Sequence, residues 1–273
     1  MSKEERTAKD IFFGDKLKLV KGEEPIPGFR LDTQRSHNVW AAIGPKGPVA
    51  IKSVANDSEM ARGELQSFRL IKDLRHPNLV ELYDVHEVKD RVVVVMELCE
   101  RSLDDVRNEY EHGGQQGIPR TELLAFMADA ALGLDFLNGR SHSDGKGVTY
   151  GIQHCDIRPG NLLLKQGRVK IADCALATAL TTEPGKYPAT TSFGTPPEGY
   201  KGRLYNSNDQ FALAVTYCYL LNRTCLAGPG TVDYPAVKNL PESDRDVVSR
   251  AIDVDPSRRW PSCTEFVARL RDQ

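Results

Sequence analysis

Three segments of the chain carry side chains whose types and spacing suit one reaction. Residues 49–52 (VAIK) are a short apolar run that ends in a lysine. Residues 154–161 (HCDIRPGN) hold a carboxylate, a cation and an amide, and residues 173–175 (DCA) begin with a second carboxylate. Phosphoryl transfer from ATP needs a cation on the phosphates, oxygen ligands for magnesium and a carboxylate that orients the attacking hydroxyl. The three segments together supply these groups.

The elements that must position these residues follow from hydrophobic periodicity and turn signals. The pattern predicts a strand-rich first third and a helical remainder, with the change near residues 98–102. Helices are predicted at 57–75, 122–138, 209–221, 241–253 and 261–272. Strands are predicted at 48–52, 79–86 and 91–97, with a hairpin formed by 162–164 and 169–171. Residues 174–200 are rich in Thr, Pro and Gly, which predicts a long irregular segment.

In this order, and on these elements, the three segments resemble motifs of the protein kinase family. Residues 49–52 resemble the V-A-I-K strand, residues 154–161 the H-R-D-x-x-x-x-N loop, and residues 173–175 the D-F-G motif. The resemblance covers essentially the whole chain and is strongest to bacterial Hanks-type Ser/Thr kinases. It implies an α+β, bilobal protein-kinase fold with an N-terminal arm (1–27), a β-rich N-lobe (28–98) and a helical C-lobe (99–273).

The resemblance also implies roles for individual residues, with ATP and Mg²⁺ as cofactors. Catalytic roles fall to Asp156, Arg158 and Lys52. Magnesium ligands are Asn161 and Asp173, since hard cations prefer oxygen. Nucleotide contacts fall to Lys52, Glu64, Val39, Ala50, Glu97, Cys99 and Leu163.

A second set of residues matches the supporting structure of the same family. Asp209 resembles the aspartate that anchors the catalytic-loop backbone. Glu198 resembles the glutamate of the A-P-E motif, and its expected partner is Arg259. Thr195 matches the threonine that touches the catalytic aspartate in enzymes directed at serine and threonine.

The chain departs from the family pattern at the nucleotide. The three glycine positions of the phosphate-covering loop fall on Asp32, Gln34 and His37, whose side chains should hinder close approach of backbone amides to phosphate. The helix glutamate that pairs with Lys52 falls on Ser67 by spacing. Glu64 lies one turn earlier on the same helix face and is the preferred partner, and Glu59 is a weaker candidate.

Two cysteines replace large residues within the motifs. Cys174 stands in place of the D-F-G phenylalanine and leaves space that Ile71 or Leu82 would have to fill. Cys155 stands in place of the H-R-D arginine, which binds the activation-loop phosphate in the family. We therefore expect that phosphorylation is not the on-switch at the nearby hydroxyls, which are Thr181, Thr182, Thr190, Thr191 and Ser192.

Composition restricts the kinds of partner and the cellular setting that are expected for the chain. The 273 residues carry a formal net charge of −2, which argues against a nucleic-acid surface. No apolar run reaches membrane-spanning length, and the first residues lack a signal peptide, so a cytoplasmic setting is expected. The six cysteines form no C-x-x-C pair, so neither a zinc site nor a disulfide framework is indicated. A protein substrate or partner is expected, and nothing indicates an oligomeric state.

Three functions compete. The retained motif residues favour an ATP-dependent Ser/Thr protein kinase. The missing glycines, the displaced glutamate and Cys174 favour a catalytically impaired pseudokinase, acting as a nucleotide-binding or scaffold and allosteric module. A small-molecule phosphotransferase on a related fold is third, because Thr195, Glu198 and Arg259 mark the part of the family that acts on proteins.

Overall fold

A computed structural model describes residues 19–55, 59–88, 91–143, 145–188, 193–222 and 235–273. These residues form two compact units. The first contains the described residues up to Arg62 and those of Leu82–Leu98, and the second contains the described residues of Gly63–Glu81 and Cys99–Gln273. The segment Gly63–Glu81, which the sequence assigned to the first lobe, therefore belongs to the second unit.

The first unit is built on one antiparallel sheet of five strands in the order β1-β2-β3-β5-β4. Its strands are β1 Arg30–Ser36, β2 Val39–Gly44, β3 Gly47–Ala55, β4 Leu82–Val88 and β5 Arg91–Met96. The β-branched run of β5 suits a central strand, because branched side chains pack well on a pleated surface. The apolar face of the sheet buries Trp40, Ile51 and Val95 in one core.

The opposite face of this sheet carries residues expected to bind nucleotide. Val39 lies directly opposite Lys52 across β2 and β3, and Ala41 lies opposite Ala50. Side chains of opposed residues, and of residues two apart on a strand, share a face. The register therefore places Val39, Ala50 and Lys52 together on the face away from the Trp40 and Ile51 core.

The elements between β3 and β5 are shorter or shifted relative to the sequence prediction. Helix α1, Glu59–Ile71, stops four residues before the predicted end because the chain turns at residues 72–73 ahead of His76-Pro77. The predicted strand 79–86 begins only at Leu82 and extends to Val88. Leu79 instead forms an isolated bridge with Ile171. The predicted helix start at residues 57–58 and the turn at 89–90 lie outside the described residues.

The second unit supplies the remaining helices. They are α2 Leu103–His112, α3 Arg120–Asn138, α4 Asn208–Asn222, α5 Pro235–Lys238, α6 Glu242–Ala251 and α7 Cys263–Arg271. Ser102 caps α2 reciprocally with Asp105, as expected for a helix start in this sequence. Gly133 lets α3 approach Asn78 closely, because a Cβ there would lie 2.9 Å from the Asn78 carbonyl oxygen. The predicted helices of this half are confirmed within two residues at most ends.

Short strands hold the loops of the second unit in place. They are β6 Arg101–Ser102, β7 His142–Ser143, β8 Thr149–Gln153, β9 Leu162–Lys165, β10 Arg168–Ile171, β11 Thr178–Leu180, β12 Gly185–Lys186 and β13 Arg203–Leu204. The predicted hairpin is confirmed as β9 and β10. The segment 174–200 is less irregular than predicted, because β11 pairs with β8 and β12 pairs with β13. Among the described residues, no helix is long and apolar enough to cross a membrane.

Candidate functional site

The loop from His154 to Asn161 is anchored by one buried carboxylate. Asp209, at the start of α4, is 1% exposed. Its Oδ2 accepts a hydrogen bond from the His154 amide at 2.7 Å, and its Oδ1 accepts one from the Cys155 amide at 3.0 Å. Burial raises the pKa of Asp209, whereas His154 and the two amides act in the opposite direction. The anchoring role expected for Asp209 is thereby confirmed.

Two residues of the motifs have a left-handed backbone. Cys155 has φ of 64° and Asp173 has φ of 58°. For residues other than glycine this conformation costs on the order of 1 kcal/mol and persists where the surrounding structure fixes it. At Cys155 the fixing contacts are the two bonds to Asp209. Strained positions of this kind concentrate at functional sites, and both lie where the sequence placed the chemistry.

Hydrogen bonds bring the second and third segments together. The Asn161 side-chain Nδ2 donates to the Asp156 carbonyl oxygen at 2.8 Å and to Asp156 Oδ2 at 2.9 Å. The Ala172 amide donates to the Asn161 carbonyl oxygen at 2.9 Å. Ala172 directly precedes Asp173. The expected catalytic carboxylate and both expected metal ligands therefore belong to one connected cluster.

The donor set of this cluster fits Mg²⁺. Asn161 and Asp173 carry only amide and carboxylate oxygens as ligands, and Mg²⁺ is typically bound by one or two such groups together with substrate phosphates and water. Among the described residues, no group of three or more His, Cys, Asp or Glu side chains could hold a metal by itself. Asn161 and Asp173 would offer such a metal two protein oxygen ligands. Arg158 lies on the same loop and is exposed.

His154 links the loop to the residues before Asp173. Its ring is fully buried, and Nε2 lies 3.0 Å from the Ala172 carbonyl oxygen, to which it can donate. Burial lowers the pKa of His154, but Cys174 and the carboxylates of Asp209 and Asp156 outweigh it and raise the pKa to about 9. The other ring nitrogen, Nδ1, accepts a hydrogen bond from the Asp156 amide at 3.3 Å, so His154 contacts the backbone on both sides.

Ser67, the helix position that spacing assigned to the family glutamate, forms hydrogen bonds to backbone carbonyls instead. The Ser67 hydroxyl oxygen lies 2.9 Å from the Ala177 carbonyl oxygen and 3.2 Å from that of Gly63. It donates to the chain just after residues 173–175 and so ties α1 to that segment. Glu64 lies one turn earlier and is half-buried. Its pairing with Lys52 stays a prediction, and the Glu59 side chain lies outside the described residues.

The other expected nucleotide contacts lie on the sheet of the first unit, just after it, and in β9. Lys52 is buried, and Glu97 and Cys99 follow the end of β5. Leu163 lies in β9, opposite Lys170. The roles of these residues stay predictions.

The β1–β2 hairpin shows how the chain closes this loop without the family glycines. Gln34 Nε2 donates to the His37 carbonyl oxygen at 3.2 Å, across the turn. The Asp32 carboxylate is exposed and lies 3.3 Å from Lys21 Nζ. The Thr33 hydroxyl and Lys21 lower the pKa of Asp32. No residue in 30–44, all of them described, has a positive φ, so the backbone of this hairpin does not require glycine.

The expected ion pair behind the site is confirmed. Arg259 donates through Nη1 to Glu198 Oε1 at 2.7 Å and through Nη2 to Oε2 at 2.9 Å. Both side chains are buried. A bidentate pair of this kind fixes the orientation of both groups as well as their distance. Glu198 therefore ties the end of the segment 174–198 to Arg259, and its role is structural.

Sequence analysis missed Tyr187. Its ring is buried in an apolar cluster with Cys155, Leu180 and Leu204. The Tyr187 hydroxyl donates to the Cys155 carbonyl oxygen at 3.4 Å and also contacts Thr195. Burial raises the pKa of Tyr187 and of the Cys155 thiol. One signal was available, because Tyr187 is the only aromatic residue between Cys174 and Ser192.

The expected contact between Thr195 and Asp156 stays a prediction. Thr195 is buried beside the Tyr187 hydroxyl. The cluster around Tyr187 packs against the side chain of Cys155, the residue that stands in place of the family arginine. Thr190, Thr191 and Ser192 lie outside the described residues, whereas Thr181 and Thr182 are exposed.

Comparison with known proteins gives consistent matches. The family described as "Protein kinase domain" matches residues 40–269. A carbon catabolite-derepressing protein kinase of Candida tropicalis is 29% identical over 174 residues, which are 60% of this chain and 25% of that protein. The human serine/threonine-protein kinase Nek11 is 28% identical over 177 residues, which are 63% of this chain and 25% of that protein. The chain thus spans about a quarter of the length of these relatives.

A solved structure extends the match to the fold. The crystal structure of a double mutant of the PknI kinase domain from Mycobacterium tuberculosis matches with a TM-score of 0.70 at 20% identity. The match covers 94% of this chain and 99% of that one. It confirms the α+β fold that the sequence predicted.

Proposed function

Because the chain belongs to the protein kinase family, in its Hanks-type branch, we propose that it transfers the γ-phosphoryl group of ATP to serine or threonine hydroxyls of a protein. One of the similar proteins, Nek11, is named as a serine/threonine-protein kinase, which supports this choice of acceptor. One observation carries the proposal. Hydrogen bonds join Asn161 to Asp156 and to Ala172, the residue before Asp173. The buried Asp209 carboxylate holds the loop that carries Asp156 and Asn161 in a strained conformation.

In the proposed reaction, each residue of the cluster has a distinct task. Asp156 orients the acceptor hydroxyl and receives its proton as the hydroxyl attacks the γ-phosphorus, while the bond from that phosphorus to the bridging oxygen breaks and ADP leaves. The bond from Asn161 to Asp156 Oδ2 fixes the rotamer of that carboxylate. Arg158 places a guanidinium near the γ-phosphate. Asn161 and Asp173 would hold Mg²⁺, which supplies positive charge against the charge developing on the transferred group.

The remaining contacts of the proposal concern the nucleotide. Lys52 binds the α- and β-phosphates, and Glu64 orients that lysine. Val39, Ala50 and Leu163 enclose the base, and the backbone groups of Glu97 and Cys99 bond to adenine. Support for this part comes from the sheet register, which places Val39, Ala50 and Lys52 on one face.

A second candidate function rests on the β1–β2 hairpin. Its turn is closed by the Gln34 side chain, and Asp32 sets a carboxylate where the family has a glycine. This favours weak nucleotide affinity and hence a pseudokinase that acts as a nucleotide-binding, scaffold or allosteric module.

Two measurements on the chain test the proposal. The first is the shift of the melting temperature with Mg²⁺-ATP, where a ligand at about a hundred times its dissociation constant stabilises by about 2.7 kcal/mol. The second is transfer of radiolabelled phosphate from ATP to a generic protein substrate. We expect both a shift and transfer.

The variant Asp156→Asn separates chemistry from binding. It removes the proton acceptor, so transfer should fall by about 10²- to 10⁴-fold while the Mg²⁺-ATP shift stays. The exposed Asp272→Asn is the matched control and should change neither. A shift without transfer in the unmodified chain would establish the pseudokinase, and the absence of both would rule out the kinase.

A further inference from the structure

Three cations form one exposed surface next to the proposed catalytic loop. Lys186 in β12 lies directly opposite Arg203 in β13, so their side chains share a face of the two-stranded sheet. Lys201 lies on the turn that leads into β13. All three residues are exposed. We call this surface the basic hairpin, and it comprises Lys186, Lys201 and Arg203.

The charge of the basic hairpin is not neutralised nearby. The only acidic residues between positions 181 and 206 are Glu183 and Glu198. Glu183 pairs with Arg140 at 3.3 Å, and Glu198 pairs with Arg259. Within the part of the chain that the structure describes, none of the three hairpin cations forms an ion pair. All three positive charges therefore face solvent, and those of Lys186 and Arg203 lie on one face of the sheet.

Buried contacts fix the basic hairpin relative to the catalytic loop. The Tyr187 amide donates to the Gly202 carbonyl oxygen at 3.0 Å, between the two strands. The Tyr187 ring is buried, and its hydroxyl donates to the Cys155 carbonyl oxygen. Cys155 directly precedes Asp156. One buried side chain thus connects Lys186 to the residue before the expected catalytic carboxylate.

This connection places the backbone of the hairpin about one tyrosine side chain away from the Cys155 carbonyl oxygen. An extended peptide spans about 3.3–3.6 Å per residue. A peptide whose hydroxyl lies at Asp156 would therefore bring residues only a few positions away to the hairpin. Carboxylates at those positions suit the surface, because Arg binds them in bidentate geometry and Lys acts as a compact point charge.

We infer that the basic hairpin binds acidic peptide segments and thereby selects substrates with Asp or Glu within a few residues of the acceptor hydroxyl. The inference deepens the proposed function and, as a statement about substrates, rests on it. Each exposed charge pair adds little affinity, so three cations together are expected to change affinity by about tenfold, or about 1.4 kcal/mol.

The first test is a binding measurement that needs no turnover. The probes are fluorescein-labelled, alanine-rich nonapeptides with one central serine. Each carries three Asp or three Asn residues, placed either before or after the serine. Asn has nearly the shape of Asp but no charge. In fluorescence anisotropy, the better Asp peptide should bind about tenfold more tightly than its Asn counterpart at low salt. The difference should shrink at high salt, where the Debye length falls to about 3 Å near 1 M.

Charge reversal assigns the effect to the hairpin. Lys186→Glu combined with Arg203→Glu should abolish the preference for Asp peptides, and Lys201→Glu alone should reduce it. Arg271→Glu, an exposed change at the end of α7, is the matched control and should leave the preference unchanged. Because all these side chains are exposed, the melting temperatures of the variants should stay close to that of the parent chain.

Clear outcomes would overturn the inference. Equal binding of Asp and Asn peptides, a preference that survives Lys186→Glu with Arg203→Glu, or no measurable binding of Asp peptides up to about 1 mM would each do so. Radiolabel transfer to the same peptides tests the proposed function separately. Preferential binding without transfer would leave the acidic-segment surface standing and the kinase activity refuted, whereas equal transfer to bound Asp and Asn peptides would refute the selection alone.

Discussion

The catalytic loop (residues 154–161) and the β1–β2 hairpin hold their polar groups in opposite ways. In the loop, buried partners fix the backbone, and the Asp209 carboxylate accepts two of its amides. In the hairpin, Asp32 pairs with Lys21 in solvent, and a single Gln34 side chain crosses the turn. The loop has kept the family residues Asp156 and Asn161, whereas the hairpin has lost all three glycines.

The difference indicates that the two regions depend on different physical terms. Buried polar groups must keep their partners, because an unsatisfied one costs about 1–3 kcal/mol, so substitutions in the loop are strongly constrained. Exposed groups exchange partners with water at little cost, so we expect the hairpin to tolerate replacement and to affect mainly nucleotide affinity. We therefore expect stability and turnover to depend on the loop, and affinity for ATP on the hairpin.

The largest effect is expected at the buried pair behind the loop. Arg259→Leu leaves the Glu198 carboxylate buried without its cation, which should lower the free energy of unfolding by about 3–5 kcal/mol in urea titrations. Arg269→Leu is the matched control, because its pair with Glu265 at 2.7 Å is exposed. That control should cost under about 1 kcal/mol. Equal losses in the two variants would contradict the distinction between buried and exposed polar groups.

A smaller effect is expected at the loop anchor. Asp209→Asn replaces one of the two acceptor oxygens by an NH₂ group, which should cost about 1–3 kcal/mol of unfolding free energy and reduce phosphoryl transfer. Asp135 offers a matched control, because its carboxylate accepts the Cys263 and Thr264 amides at 2.8 Å each, at the start of α7. Asp135→Asn should cost similar stability but leave transfer at saturating ATP unchanged. Loss of transfer in both variants would show that transfer follows overall stability rather than the loop.

Placing the family glycines in the β1–β2 hairpin tests whether this hairpin sets the affinity for nucleotide. The variant with Asp32→Gly, Gln34→Gly and His37→Gly removes one negative charge and opens the backbone to phosphate. Its dissociation constant for Mg²⁺-ATP, measured by calorimetry, should fall by about tenfold. The fold should lose about 0.5–1 kcal/mol of stability per strand glycine. Ser36→Gly, in the same strand, should leave affinity unchanged, and an unchanged triple variant would show that the hairpin does not set nucleotide affinity.

The smallest effect is expected at the exposed hydroxyls near the loop. Position 155 holds a buried cysteine in the Tyr187 cluster, so no arginine is present there to bind a phosphate. Thr181→Ala with Thr182→Ala should change transfer by less than about twofold, and phosphatase treatment of the parent chain should do no more. The same is expected at Thr190, Thr191 and Ser192. A large gain of transfer on phosphorylation that these substitutions abolish would contradict the prediction.

Much of the fold was predictable because its signals are local. The helical periodicity of residues 122–138 and the turn at Gln166-Gly167 each specify an element without reference to the rest of the chain. Errors occurred where a tertiary contact overrode the local pattern. Leu79 looked like a strand residue, but it only bridges Ile171. Residues 174–200 looked irregular, but β8 and β13 recruit short strands from them.

The sequence by itself determined which groups are available for chemistry, since Asp156, Asn161 and Asp173 are recognisable by type and spacing alone. The resemblance to the A-P-E motif also implied the long-range pair of Glu198 and Arg259. Only the tertiary structure decided what surrounds them. Ser67 bonds to Ala177, which lies 110 positions later in the chain. Tyr187 closes the space beside Cys155, which lies 32 positions earlier. Side-chain direction and burial at such distances are set by packing, which no local pattern encodes.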